Sequence, residues 1–138
     1  MQIKRNAVAH WLGAGKDGKG TLTTDSKVLN QTNYAFHSRF ENGAGTNPEE
    51  LIGAAHAGCF SMKLAFNFQN AGITPESIET KAEVIFENGS ITDIHLHTVV
   101  KAHGVSAEKF EELVLDAKVN CPISKLLNTN IHLQSQLL

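Results

Sequence analysis

Cysteine is scarce in this chain, basic charge is not in excess, and no apolar run is long and uninterrupted. Each lack closes off a class of function. The 12 Lys and Arg against 14 Asp and Glu give a net charge of -2 and a pI near 6.4, which leaves no electrostatic footprint for nucleic acid. The most apolar stretch, Leu51–Phe68, is interrupted by His56, Lys63 and Asn67, which argues against a membrane span. The N-terminal MQIKRNAVAH lacks the apolar core of a secretory signal, so the expected location is the cytoplasm. Two cysteines occur in 138 residues. In a reducing compartment such a pair points to catalysis or redox chemistry before a structural staple. No internal repeat, linker or low-complexity segment divides the sequence, and its length suits one domain over residues 1–138 with a real core.

What is present is organised around GTNPEELIGAAHAGCFSMKLAFNFQN, residues 45–70. Asn47 suits an N-cap and Pro48 the first helical position, while Glu49 and Glu50 set negative charge against the positive helix end. Asn47 and Glu50 also have capping-box spacing. Leu51, Ile52, Ala54, Ala55, Ala57, Phe60, Met62, Leu64, Ala65, Phe66 and Phe68 follow, apolar on nearly every face. That pattern predicts a helix enclosed by protein. Gly53, Ala54, Ala55, Ala57 and Gly58 lower its side-chain volume, so neighbouring backbone can come close, and Cys59 stands in the middle of this surface.

On the N-terminal side, residues 2–11 read as a strand and GAGKDGKG (13–20) as a hairpin turn. No GK[ST] ending makes the latter a phosphate loop. A Thr-rich strand follows over 20–26, then an irregular stretch over 28–33. Tyr34–Phe40 alternates as a short strand that delivers Arg39 to its end, before the loop ENGAGT. On the C-terminal side, AGITP breaks the chain, and strands over 78–87 and 91–103 meet at Asn88-Gly89, a type I′ hairpin signal. Ile78, Thr80, Ala82, Val84 and Phe86 share one face, and Ile94, Leu96, Thr98 and Val100 share another, so one face of the hairpin should cover the central helix. Ser106 caps a helix over 107–120 whose stripe is Phe110, Leu113, Val114 and Ala117. CPISKLL (121–127) is a short helix with Pro122 first, and 130–138 closes as a strand. With no βαβ alternation, the order implies an α+β fold in which antiparallel sheet wraps a buried central helix.

Chemistry can sit at few places. Cys59 is either a small packed hydrophobe or a reactive thiol. Mid-helix it gains little from the dipole, and burial raises a thiol pKa, so reactivity would need a cation; Arg39 is the candidate. Cys121 lies at a helix start, a setting that favours a thiolate. The two are 62 positions apart and form no CxxC motif. Histidines stand at 10, 37, 56, 95, 97, 103 and 132. His95 and His97 share a strand face and could ligate metal, but no further ligand pattern accompanies them, so a solvated face is the simpler reading. His56 precedes Cys59 by three residues on nearly the same helix face, which leaves a Cys–His acyl-transfer pair open beside a packed histidine.

Two stretches carry a resemblance: SRFENGAGTNPEELIGAAHAGCFSM (38–62) and AKVNCPISKLLN (117–128). They resemble the signatures of the osmotically inducible protein C family, within the OsmC/Ohr superfamily of thiol peroxidases. KDGKGTLTTDSKVL (16–29) and the final strand extend the likeness over most of the chain. The SRFE placement is similar to that branch rather than to the organic-hydroperoxide-resistance branch, where the arginine comes earlier. Gly58 stands where alanine is more usual. The resemblance implies a peroxidatic Cys59 and a resolving Cys121, with Arg39 and Glu49 as the polar frame that activates Cys59, Glu49 gripping the guanidinium through both oxygens. It implies reduction of organic hydroperoxides and hydrogen peroxide, a Cys59–Cys121 disulfide, and recycling by a dithiol (a lipoyl-bearing protein or a small thiol). It implies an intertwined homodimer with sites at the interface and calls for no metal, flavin or haem. Two rival classes stay open: acyl transfer by Cys59 and His56, and a redox-sensing or apolar-ligand-binding protein without turnover.

Overall fold

The computed structural model describes residues 1–40 and 44–138, so the expected loop over 41–46 falls partly outside the described residues. It comprises two compact units, Met1–Leu51 and Ile52–Leu138.

In the first unit, β1 (Ala7–Leu12), β2 (Lys19–Thr24) and β3 (Thr32–Tyr34) form an antiparallel sheet in that order, followed by the short helix α1 (Phe36–Phe40). The register lines up Trp11, Gly20 and Tyr34 across the three strands. Any Cβ at position 20 would run into both aromatic rings, and the rings close over the glycine with centroids 5.4 Å apart. The missing side chain is what admits the aromatic pair.

The strand expected over Tyr34–Phe40 stops at Tyr34, and Arg39 projects from α1 instead of a strand end. Ser38 explains the difference. Its hydroxyl accepts from the Ala35 N–H at 2.7 Å and donates to the Ala35 carbonyl at 2.8 Å, while the Arg39 N–H also reaches that carbonyl. A local side-chain-to-backbone bond at the third helical position overrides a weak two-residue alternation.

Helix α2 (Pro48–Asn70) begins as its caps dictate: Asn47 Oδ1 accepts from the Glu50 N–H at 2.8 Å, and Asn47 Nδ2 donates to Glu50 Oε2 at 3.2 Å. It ends in a Schellman turn, with Gly72 at φ +76 and the Ile73 N–H donating to the Phe68 carbonyl at 2.9 Å. In the second unit α2 is joined by β4 (Ser77–Glu87), β5 (Ser90–Lys101), α3 (Ala107–Asn120), α4 (Pro122–Leu126) and β6 (Asn130–Leu137). Asn88 and Gly89 both take positive φ, 51 and 82, as a type I′ turn between β4 and β5 requires. The hairpin does cover α2: Ser61 Oγ donates to Thr80 Oγ1 at 2.8 Å, and Gly53 faces Ala82 and Val84. The core is Phe60, Leu64 and Phe68 of α2, Ile94, Leu96 and Val100 of β5, and Phe110, Leu113, Val114 and Ala117 of α3.

Two expectations need correcting. The sheet is not wholly antiparallel, because β6 pairs with β5 in parallel. Helices α3 and α4 form the crossover that a parallel pair needs. Helix α2 is also not enclosed on every face. Gly53, His56, Phe60, Leu64, Asn67 and Phe68 are buried, whereas Ala54, Ala55 and Gly58 are exposed, Met62 is 65% exposed and Phe66 53%. The architecture remains α+β, built from two three-stranded sheets. Among the described residues no helix is long and apolar enough to cross a membrane.

Gly58 yields a test. No described atom lies within 4 Å of where its Cβ would stand, and a mid-helix glycine costs about 1 kcal/mol relative to alanine. Gly58→Ala should therefore raise the unfolding free energy by about 1 kcal/mol, read as a higher urea midpoint at unchanged m-value; a lower midpoint would mean that this side of α2 needs the methyl to be absent.

Candidate active site

The chain turns sharply at Cys121, which ends α3 and begins α4: its N–H donates to the Ala117 carbonyl at 3.0 Å, and its own carbonyl accepts from Lys125 at 3.1 Å. Pro122 at the first position of α4 makes a helix start so close to a helix end workable. The turn places the fully buried Cys121 beside the partly buried Cys59 of α2. Both thiols are free. Burial pushes the Cys59 thiol above its usual range. The Cys121 thiol pushes it further, by hydrogen bonding to the protonated form and by like charge, and the Ile123 backbone amide facing the sulfur pulls it down. The family resemblance implied the pairing of the two cysteines but not the amide of Ile123, whose only clue is its place in the first turn of a Pro-started helix.

His56 makes no hydrogen bond to Cys59 among the described residues. Its Nε2 and Ser124 Oγ share a 2.7 Å hydrogen bond, and its Nδ1 is buried without a partner among the described residues. Burial lowers its pKa, so the neutral imidazole is favoured. Ser124 went unnoticed in the sequence, since nothing in a single chain links positions 56 and 124.

In the first unit, Arg39 Nε donates to Glu49 Oε1 at 2.8 Å, with the side chains 40% and 13% exposed. The expected two-oxygen grip is a one-oxygen contact here: Glu49 Oε2 is buried without a hydrogen-bond partner among the described residues. Arg39 borders a cleft of about 470 Å³ whose other walls are Trp11, Gly15, Lys16, Ala35 and Phe36. Trp11 and Phe36 were read in the sequence only as strand residues. Glu49 stands in the first turn of α2, ten residues before Cys59, or about 15 Å of helical rise.

His95 and His97 lie exposed on the outer face of the second sheet. The parallel register sets His132 beside His95, with the rings stacked at 4.5 Å. His132 Nε2 donates to Asp93 Oδ1 at 2.8 Å and helps hold that carboxyl below its usual range. Among the described residues no three His, Cys, Asp or Glu side chains are grouped to hold a metal ion.

The profile of the OsmC-like protein family matches residues 41–136. The chain is 48% identical to Peroxiredoxin OsmC of Escherichia coli (strain K12), covering 99% of each. It is 31% identical to the organic hydroperoxide resistance protein OhrB of Bacillus subtilis (strain 168), over 86% of this chain and 88% of that one. The crystal structure of the Bacillus subtilis OhrB protein aligns with a TM-score of 0.64 at 27% identity, covering 96% of this chain and 98% of that one.

The influences on Cys59 set the sign of a pH test. Cys121 stabilises the protonated Cys59, so its removal in Cys121→Ala should move the midpoint for iodoacetamide alkylation of Cys59 to lower pH than in wild type. Peptide mapping across a pH series measures it; a midpoint that stays put or rises would mean the two thiols do not interact.

Proposed function

The chain belongs to the OsmC-like family, and from that premise we propose that it is a cysteine-based, thiol-dependent peroxidase. It reduces organic hydroperoxides, and hydrogen peroxide, to the alcohol or water. The observation that carries this reading is the placement of Cys121 against Cys59 across 62 residues of sequence. Two free thiols from separate segments in one apolar setting are what a peroxidatic and a resolving cysteine require.

In the proposed cycle the Cys59 thiolate attacks the distal peroxide oxygen. The S–O bond forms as the O–O bond breaks, and the leaving alkoxide takes a proton to become alcohol. Cys121 sulfur then attacks the Cys59 sulfenic acid, so that an S–S bond replaces S–O and water departs. An external dithiol, a lipoyl-bearing protein or a small thiol, reduces the disulfide by exchange and becomes a disulfide itself. The guanidinium of Arg39, steered by Glu49, stabilises the thiolate and the developing alkoxide. The apolar walls of the cleft beside Arg39 suit the hydrocarbon of an organic hydroperoxide. No cofactor enters this cycle, and its reducing step fits a cytoplasmic location.

Arg39 must reach Cys59, yet its partner Glu49 stands about 15 Å up the helix from that thiol. A homodimer in which Arg39 and Glu49 of one subunit complete the Cys59 site of the other removes the conflict. Exposed Val8, Leu12, Met62 and Phe66 supply apolar surface for such an association.

Peroxide consumption with dithiothreitol or a lipoylated reductant tests the assignment. Cys59→Ser should lower turnover by orders of magnitude to background while keeping the fold, and near-normal activity would end the reading. Cys121→Ser should react once and then accumulate sulfinic acid, whereas wild type loses two hydrogens on intact-mass analysis. Equal sulfinic acid in both would remove Cys121 from the cycle.

Mixing Arg39→Ala and Cys59→Ser subunits tests the shared site. With Arg39 acting across the interface, one of the two sites in each heterodimer gathers both defects and the other is intact, so activity partly returns. A mixture that stays inactive after verified subunit exchange, or a monomer by sedimentation, rejects the shared site and leaves the peroxidase reading in place.

A further inference from the structure

His56 and Ser124 are a polar pair inside an apolar unit: His56 is fully buried and Ser124 is 9% exposed. Their 2.7 Å bond leaves His56 Nδ1 buried and unpartnered among the described residues. An unpaired buried nitrogen is a standing cost to the folded state. Two apolar side chains of similar size would avoid it, so stability alone does not account for the pair.

Its position does. His56 and Cys59 are three residues apart on one face of α2, and Cys121 and Ser124 are three apart at the start of α4. Cys59 meets Cys121 while His56 meets Ser124, so the two segments touch at two matched points. Helix α4 has five residues, too few to be stable on its own, and Ile123 and Leu127 give it partly buried apolar footing. A side-chain hydrogen bond ties it to α2, the one between Ser124 and His56.

We propose that the His56–Ser124 hydrogen bond is a latch that holds the start of α4 against α2 and keeps Cys121 within reach of Cys59 for disulfide closure. His56 and Ser124 are thus positioning residues that touch neither peroxide nor the reacting sulfurs. Closure needs the two sulfurs to approach to about 2.05 Å in a narrow range of dihedral angle. A segment free to drift from α2 would seldom present that geometry, and the intramolecular advantage of Cys121 would fall. The use of the latch in a peroxide cycle rests on the function proposed above, but its test does not.

The test drives closure with diamide on the reduced full-length protein. The Cys59 thiolate adds across the N=N bond; Cys121 sulfur then displaces the hydrazine, forming the disulfide while the diazene is reduced. Acid quenching and intact-mass analysis follow the adduct and its conversion separately. In Ser124→Ala and in His56→Leu, which keeps the bulk without the bond, conversion relative to adduct formation should fall about five- to tenfold, as expected for one buried hydrogen bond. In His56→Gln, whose amide can still reach Ser124, most of that loss should be recovered. Simple destabilisation would not slow the second step selectively or be rescued by an amide. Wild-type conversion in Ser124→Ala overturns the latch, as does a His56→Gln protein no faster than His56→Leu. If the His56 variants do not fold, Ser124→Ala decides alone, since it removes one oxygen. A wild-type protein that closes with diamide and loses speed in Ser124→Ala, yet consumes no peroxide, keeps the latch and ends the peroxidase reading.

Discussion

A thiol set in an apolar helix face resists ionising, and the second unit is arranged around that resistance. Burial and Cys121 both push Cys59 up, and the Ile123 amide is the opposing influence from its own surroundings. The fold assembles these groups from far apart in sequence. The crossover from β5 through α3 and α4 to β6 carries residues 121–124 back onto α2. Asn67 ties α2 to α3 farther along, donating to the Leu113 carbonyl at 3.0 Å and to Asp116 at 2.9 Å. Ser61 ties it to β4. Strand, helix and turn thus each hold α2 at a different level, and the level of the turn is the one that carries sulfur.

Magnitudes bear on where the activating charge of the proposed site would come from. A cation lowers a neighbouring pKa strongly when it stands within about 4–6 Å. Were Arg39 confined by Glu49 to the first turn of the helix that bears Cys59, about 15 Å away, its Coulomb energy would be about 0.3 kcal/mol in water and about 1 kcal/mol at an effective dielectric of 20. That is less than one pKa unit and does not offset the burial of the sulfur. In the proposed dimer, an arginine supplied by a second subunit would meet the distance requirement that one chain's own helix does not.

Much of this was legible in the sequence, and the reasons differ by element. Helix α3 falls where Ser106 and the Phe110–Ala117 stripe place it, because its cap and period agree: Ser106 Oγ accepts from the Lys109 N–H at 3.1 Å. The type I′ turn at Asn88-Gly89 was equally plain, since few residue pairs tolerate two positive φ angles. The direction of β6 was hidden because Ile131, Leu133 and Leu137 alternate identically whether a strand runs parallel or antiparallel. Arg39 was put on a strand because alternation over seven residues carries less weight than one serine bonded to its own backbone. Both cysteines came from motif and neighbourhood together, but the His56–Ser124 bond had no local signal at all.

The overestimate of burial on α2 has a physical reading. Its composition is that of a helix with protein on all sides, yet the described chain covers one face and leaves Ala54, Ala55, Gly58, Met62 and Phe66 open. Side chains this small make a shallow surface that another helix can approach closely, and Met and Phe at its margin are the large apolar groups such a contact would bury. Hydrophobic pattern reports what a sequence is built to bury in its final assembly, not what one copy buries alone. In the proposed dimer the same association would cover this face and bring a guanidinium to the thiol, so that packing and acidity of Cys59 would be settled by one event. A lone folded subunit would then keep its thiol protonated and poorly reactive, and peroxide chemistry would begin only once the pair had formed.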